Sequence, residues 1–198
     1  MENPIFDNDP IEPLELLRAL VAQVKEHDGG RTWHHGENTE WTSAVREGLK
    51  KIASGLQAKT ICVYSGFAPG GREFLLDIVW WSEIGGQGAS LACECEWYWW
   101  RSFRPANYPL HVGEDFEKLL VFKAPLKLVI IATPKDYLEI QQAVIDEINK
   151  YLAGYKHHVA GEKYLVLDFA LINKVNKAWI ANVRSSGASR PQLEEVEL

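Results

Sequence analysis

Three acidic residues stand in two segments that otherwise have the composition of buried β-strands. Glu94 and Glu96 alternate with apolar residues in segment 91–97, and Asp77 lies within the apolar run 75–81. Side chains along a strand alternate between its two faces, so Glu94 and Glu96 point to one face and the residues between them to the other. An ionised carboxylate inside an apolar sheet costs several kcal/mol unless it is neutralised. The spacing therefore predicts a pocket in which these carboxylates surround a divalent cation.

A second interpretation of the same pattern remains open. Acids that alternate with apolar residues also occur on the solvated face of a half-buried strand. Glu94 and Glu96 taken alone fit that description. The neighbours of Asp77 favour the metal pocket, because large apolar residues adjoin it on both sides.

Length and composition indicate a single domain over residues 1–198, since 46% hydrophobic content allows one sizeable core. Within it we expect an N-terminal helical extension (1–37), a core (38–183) and an acidic, flexible tail (184–198). No apolar run approaches the roughly 18 residues of a membrane span, and the first residues do not resemble a signal peptide. The expected location is therefore the cytoplasm, where the three cysteines would be reduced and buried.

The net charge of −6 argues against a protein that coats nucleic acid by bulk electrostatic attraction. A local basic surface is nevertheless predicted between residues 101 and 127. It would consist of Arg101, Arg104, Lys118, Lys123 and Lys127. Such a surface suits a phosphate substrate, but it also occurs without any special role.

The periodicity of apolar residues predicts four helices and six strands. The predicted helices cover residues 12–27, 40–54, 114–123 and 135–152, and the predicted strands cover residues 59–64, 73–81, 89–99, 127–133, 164–169 and 178–183. The second and third strands are joined by a glycine-rich loop and should pair as an antiparallel hairpin. The run 127–133 is typical of a strand buried on both faces. These elements predict an α/β sandwich with a mixed central sheet flanked by helices.

Residues 38–153 resemble the PD-(D/E)xK nuclease superfamily, which has the restriction-endonuclease-like fold. The likeness rests on Asp77 in the second strand, on Glu94-Cys95-Glu96 in the third, and on the helix and strand that follow. The resemblance implies that Asp77 and Glu94 hold Mg²⁺ or Mn²⁺. Glu96 replaces the lysine of the motif, and the resemblance implies that it acts as general base or as an auxiliary ligand.

Two further residues complete the site that the resemblance implies. Glu47, in the second helix, is the expected additional metal ligand, with Glu40 as the alternative. Lys118, in the third helix, is expected to point back to the site and supply the positive charge that the motif lysine would carry.

The resulting hypothesis is a Mg²⁺-dependent endonuclease that hydrolyses DNA phosphodiester bonds. It would act as a single chain or as a homodimer and would not contact a membrane. Trp100, Arg101 and Arg104 are the expected nucleic-acid contacts, because Trp100 shares the face of Glu94 and Glu96 and arginines bind phosphates. The alternative is a catalytically inactive protein of the same fold that binds nucleic acid or another protein. A metal-dependent hydrolase of small phosphate esters is a third possibility.

Overall fold

The computed structural model describes residues 11–28, 38–56, 61–64, 67–68, 72–73, 76–82, 88–97, 107–133, 138–169, 176–184 and 190–198. The helices are α1 (Pro13–Asp28), α2 (Asn38–Gly55), α3 (Tyr108–Val121) and α4 (Leu138–Gly154). The strands are β1 (Ile61–Tyr64), β2 (Phe67–Ala68), β3 (Arg72–Glu73), β4 (Ile78–Ser82), β5 (Gly88–Trp97), β6 (Leu126–Ala132), β7 (Lys163–Asp168), β8 (Lys177–Asn182) and β9 (Glu194–Val196). Each of the predicted helices and strands has a counterpart here, but the predicted strand 73–81 is not continuous. Glu73 ends β3 and β4 begins only at Ile78, so Asp77 lies just before the strand that was expected to contain it.

A mixed sheet of seven strands forms the centre of the molecule, in the order β1-β4-β5-β6-β7-β8-β9. Strands β1, β4 and β5 form an antiparallel meander, and the predicted pairing of β4 with β5 is confirmed. Strands β5, β6 and β7 are parallel, and the antiparallel pairs β7–β8 and β8–β9 complete the sheet. Strands β2 and β3 pair separately as a small hairpin.

Helices cover both faces of this sheet, and the alternation of side chains decides which residues meet which helices. Helices α1 and α2 pack on the face that carries Cys93, Cys95 and Trp97. Helices α3 and α4 pack on the face that carries Ala92 and Val129. Every residue of β6 is buried, as its composition predicts. The predicted α/β sandwich with a mixed, helix-flanked sheet is therefore confirmed.

Helix α3 begins at Tyr108, six residues before the predicted start. The sequence favoured a loop there because of Pro109, but the proline occupies the first turn of the helix. A proline is tolerated in the first turn since its missing N–H has no partner within the helix at that position. Tyr108 and Val112 are fully buried, so packing against the sheet accounts for the longer helix.

Both ends of the described chain are more closely integrated with the core than the sequence indicated. In α1, the predicted extension, Leu16, Leu17 and Leu20 are fully buried and belong to the same cluster as the α2 side chains. The expected flexible tail contains strand β9, which pairs with β8, and a buried Leu193. Strand pairing satisfies backbone groups that a free tail would leave to water.

Lys127 departs from its predicted place on a basic surface. Its side chain is buried in β6, and Nζ donates a hydrogen bond to Glu162 Oε1 at 2.7 Å. Burial lowers the pKa of Lys127, and the contact with Glu162 opposes that shift. The basic stretch therefore has at least one member that belongs to the core, because β6 is the central strand and α3 covers its beginning.

Two other expectations concern the cysteines and membranes. Cys93 and Cys95 are free and buried, as predicted. Burial is the main reason why the pKa of each thiol is raised. Within the described ranges, no helix has the length and apolar character required to cross a membrane.

Candidate active site at the end of strand β5

The ladder between β4 and β5 stops at the pair Ile78–Cys93, and the side chain of Asp77 continues it. Asp77 Oδ2 accepts a hydrogen bond from the backbone N–H of Cys95 at 2.9 Å. Cys95 lies between Glu94 and Glu96, so this bond holds the Asp77 carboxylate at the part of β5 that carries both glutamates. The antiparallel pairing of two adjacent strands thus brings the three predicted acids together.

Glu94 faces the layer of α3 and α4 and is only 3% exposed. Its Oε1 atom lies 3.4 Å from Lys118 Nζ, yet no described residue forms a hydrogen bond with that oxygen. Burial raises the pKa of Glu94 to about 8; the negative charge of Asp77 adds to the shift, whereas Lys118 lowers it. Glu94 is therefore not on the solvated face of a half-buried strand, which was the alternative interpretation.

Glu96 lies two residues further along the same face and is partly buried. Burial is the main cause that raises its pKa to about 8, and a hydrogen bond with the Asp115 side chain is the next. The Tyr108 hydroxyl donates a hydrogen bond to the backbone carbonyl of Glu96 at 2.8 Å. The start of α3 is thereby attached to the end of β5. Asp115, two helical turns after Tyr108, comes within reach of Glu96.

Lys118 and Asp115 lie one turn apart on α3. Lys118 Nζ is 2.5 Å from Asp115 Oδ1 and 3.4 Å from Glu94 Oε1. Burial lowers the pKa of Lys118, but its contacts with the two carboxylates outweigh that effect and raise it overall. The lysine is therefore a charged ammonium held between two acids, and it reaches Glu94 from α3.

Asp115 is the member of the site that sequence reasoning missed. It occurs in an ordinary amphipathic helix, where most acids are solvated. Its position three residues before Lys118 is a weak signal, because residues at that spacing are neighbours on a helix. The contact with Glu96 carries no comparable signal, since it depends on how α3 packs on β5.

Glu47 is not brought into this group. It lies on α2, which packs on the opposite face of the sheet from Glu94. Its side chain is 46% exposed, and its Oε2 atom lies 3.8 Å from Lys50 Nζ. Glu40, the alternative, is exposed in the first turn of the same helix. The expected nucleic-acid contacts Trp100, Arg101 and Arg104 lie outside the described residues.

The described residues contain no group of three or more His, Cys, Asp and Glu side chains able to hold a metal ion by themselves. Mg²⁺ does not require such a group, since it commonly binds one or two carboxylates and completes its shell with water and substrate phosphate. Asp77 and Glu94 supply hard oxygen donors of the correct type. The Glu94 oxygen that lacks a hydrogen bond is an atom that a cation would satisfy, so the residues present fit Mg²⁺ or Mn²⁺.

A further buried acid lies at the same edge of the sheet. Asp168, at the end of β7, is in register with Glu96 across Ile131 of β6. It is fully buried and accepts hydrogen bonds from the Thr133 backbone N–H at 2.8 Å and from the Gln141 side chain. These donors satisfy Asp168 and attach the end of β6 and the start of α4 to β7, which is a structural role.

Comparisons with known proteins add no family to this description. No family model, no curated protein and no solved structure matches the chain. The interpretation of the site therefore depends on the contacts, burial and charges of its own residues.

Proposed function

We propose that this chain is a Mg²⁺- or Mn²⁺-dependent endonuclease with a restriction-endonuclease-like core that hydrolyses DNA phosphodiester bonds. One observation carries the proposal. The buried Glu94 carboxylate has an oxygen without a hydrogen bond, lies 3.4 Å from the ammonium of Lys118, and is near enough to Asp77 for that charge to raise its pKa. Two acids and one cation at a strand end are the groups that metal-assisted phosphodiester hydrolysis needs.

The order of elements supports the same proposal. An antiparallel meander of β1, β4 and β5 is followed by helix α3, the parallel strand β6 and helix α4. Asp77 stands just before β4, and Glu94 and Glu96 stand within β5; these are the residues from which the resemblance to the PD-(D/E)xK superfamily was drawn. The substitution of Glu96 for the motif lysine is compensated by Lys118, whose ammonium approaches the site from α3.

Asp77 and Glu94 would hold the metal ion. A bound Mg²⁺ supplies positive charge that polarises the phosphate and lowers the pKa of an attacking water. Asp77 contributes negative charge that attracts the cation, and Glu94 adds its own charge when it releases its proton to bind the metal. Binding of a cation would also relieve the repulsion that Asp77 exerts on an ionised Glu94.

Lys118 and Glu96 would act on the substrate and the water. The Lys118 side chain is 39% exposed, so its ammonium is accessible to a phosphate oxygen and would stabilise charge that develops there. Glu96 would accept the proton of the attacking water. Its pKa of about 8 is close to neutral pH, which suits a general base once the carboxyl group is ionised.

One observation favours a second candidate, a catalytically inactive protein of the same fold that binds nucleic acid or a protein partner. Lys118 already provides a cation beside Glu94. If this ion pair permanently replaces the metal ion, the site is a structural element of a binding module. The two candidates therefore differ in whether the chain binds divalent metal.

The test is cleavage of supercoiled plasmid DNA, with an RNA strand of the same sequence in parallel, in the presence of Mg²⁺, Mn²⁺ or a chelator. We expect metal-dependent nicking of the plasmid. Asp77→Asn and Glu94→Gln should reduce the rate by about a hundredfold or more, the scale on which loss of one group that stabilises transition-state charge acts.

Glu47→Gln is the matched control, because it removes a carboxylate that lies on the other face of the sheet. We expect that variant to cleave at the parental rate. A parent protein that shows neither metal-dependent cleavage nor a shift in thermal unfolding with metal would refute the nuclease and leave the binding module.

A further inference from the structure

We propose that Asp115 is a positioning residue that holds the ammonium of Lys118 away from Glu94 and so keeps Glu94 available to a metal ion. The inference rests on the proposed function, because it assigns Asp115 a role toward that metal site. Neither the sequence pattern nor the resemblance gave Asp115 a role in the site.

The distances around Lys118 carry the argument. Nζ lies 2.5 Å from Asp115 Oδ1 but 3.4 Å from Glu94 Oε1, and that Glu94 oxygen lacks a hydrogen bond from any described residue. A charge-assisted N–H···O bond is normally about 2.7–2.9 Å long. Lys118 thus donates a short hydrogen bond to Asp115, whereas its contact with Glu94 is a longer ion pair.

The burial of these three residues explains why it matters that Lys118 bonds to Asp115 more closely than to Glu94. Glu94 is almost completely buried, so without Asp115 it would be the strongest neighbouring attraction for the ammonium. A direct Lys118–Glu94 bond would occupy the oxygen and cancel the charge that a metal ion needs. Asp115 lies on the same helix turn as Lys118, and its side chain is 21% exposed. Its carboxylate competes with Glu94 for the Lys118 ammonium.

Asp115 could instead be a metal ligand itself or only stabilise α3. These roles predict different metal affinities for the variants. If Asp115 acts through Lys118, its removal weakens metal binding only while Lys118 is present. If Asp115 acts directly, its removal weakens metal binding whether or not Lys118 is present. A double-mutant cycle separates these cases.

The experiment measures Mn²⁺ binding to the full chain by electron paramagnetic resonance, with unfolding transitions recorded to verify that each variant is folded. Asp115→Asn should weaken Mn²⁺ binding by about tenfold or more, because it lets a full positive charge move to hydrogen-bonding distance from the ligand. Lys118→Met should bind Mn²⁺ at least as tightly as the parent. The double variant Asp115→Asn/Lys118→Met should regain the parental affinity.

Glu117→Gln is the control, since it removes an exposed acid of the same helix and should leave Mn²⁺ binding unchanged. A double variant as weak as Asp115→Asn would overturn the inference while leaving the metal site intact. An unchanged affinity in Asp115→Asn would overturn it as well. Absence of Mn²⁺ binding in the parent would instead refute the proposed function, and the inference with it.

Discussion

Replacement of Glu94 by Gln should stabilise the metal-free protein at alkaline pH although it removes a charged partner of Lys118. Folding raises the pKa of this carboxyl group from 4.5 to about 8, chiefly by burial. The folded chain therefore binds the proton more tightly than the unfolded chain. This contribution to stability is fully present below pH 4.5 and is lost as the pH rises to about 8.

The magnitude follows from the two pKa values. Each tenfold difference in proton affinity corresponds to about 1.4 kcal/mol. The unfolded chain ionises this group freely above pH 4.5, so burial of Glu94 costs about 3 kcal/mol at neutral pH and about 5 kcal/mol once the pH exceeds the folded pKa of about 8. Gln has nearly the same shape and no such cost, so Glu94→Gln should raise the free energy of unfolding by up to these amounts.

The assay is urea unfolding in the presence of a chelator, at about pH 5 and about pH 8.5. We expect the advantage of Glu94→Gln to be small at the acidic pH and to grow at the alkaline pH. Glu117→Gln, which alters an exposed acid of α3, should show no such dependence. An equal difference at both pH values, or a Gln variant that is less stable at the alkaline pH, would refute the reasoning about buried charge.

Two other substitutions test the packing around the site. Gly113→Ala should destabilise the fold by about 1–3 kcal/mol, because a Cβ atom there would lie 2.7 Å from Tyr151 Cε2 between α3 and α4. Gly154→Ala, where a Cβ atom meets nothing within 4 Å, is its control in urea unfolding, and equal effects would contradict the close helix contact. Glu162→Gln should cost about 3 kcal/mol in the same assay because it leaves Lys127 buried without its counter-charge, and an unchanged free energy of unfolding would show that this pair contributes nothing to stability.

The faces of strand β5 could be predicted from the sequence because they follow from strict alternation along one strand. Glu94 and Glu96 lie on the face opposite Cys93, and the hairpin pairing places Asp77 beside them. Each of these relations involves residues within one strand or two strands joined by a short loop. Local geometry is sufficient for them, and the boundaries of most helices and strands follow from periodicity in the same way.

The partners of those acids could not be predicted with the same success. Glu47 and Asp115 both occur in amphipathic helices, and nothing in their spacing distinguishes them. The difference arises because α2 covers the Cys93 face of the sheet and α3 covers the Glu94 face. Similarly, Lys127 is buried because β6 lies at the centre of the sheet, where Glu162 reaches it across strands.

The α/β class, the order of the predicted elements and the position of three acids in or beside neighbouring strands therefore follow from the sequence pattern alone. The packing of the folded chain was needed to show which helix faces those acids, that Asp115 contacts Lys118, and that β9 extends the sheet. Periodicity records whether a side chain is buried. It does not record which face, strand or helix of the folded chain buries it.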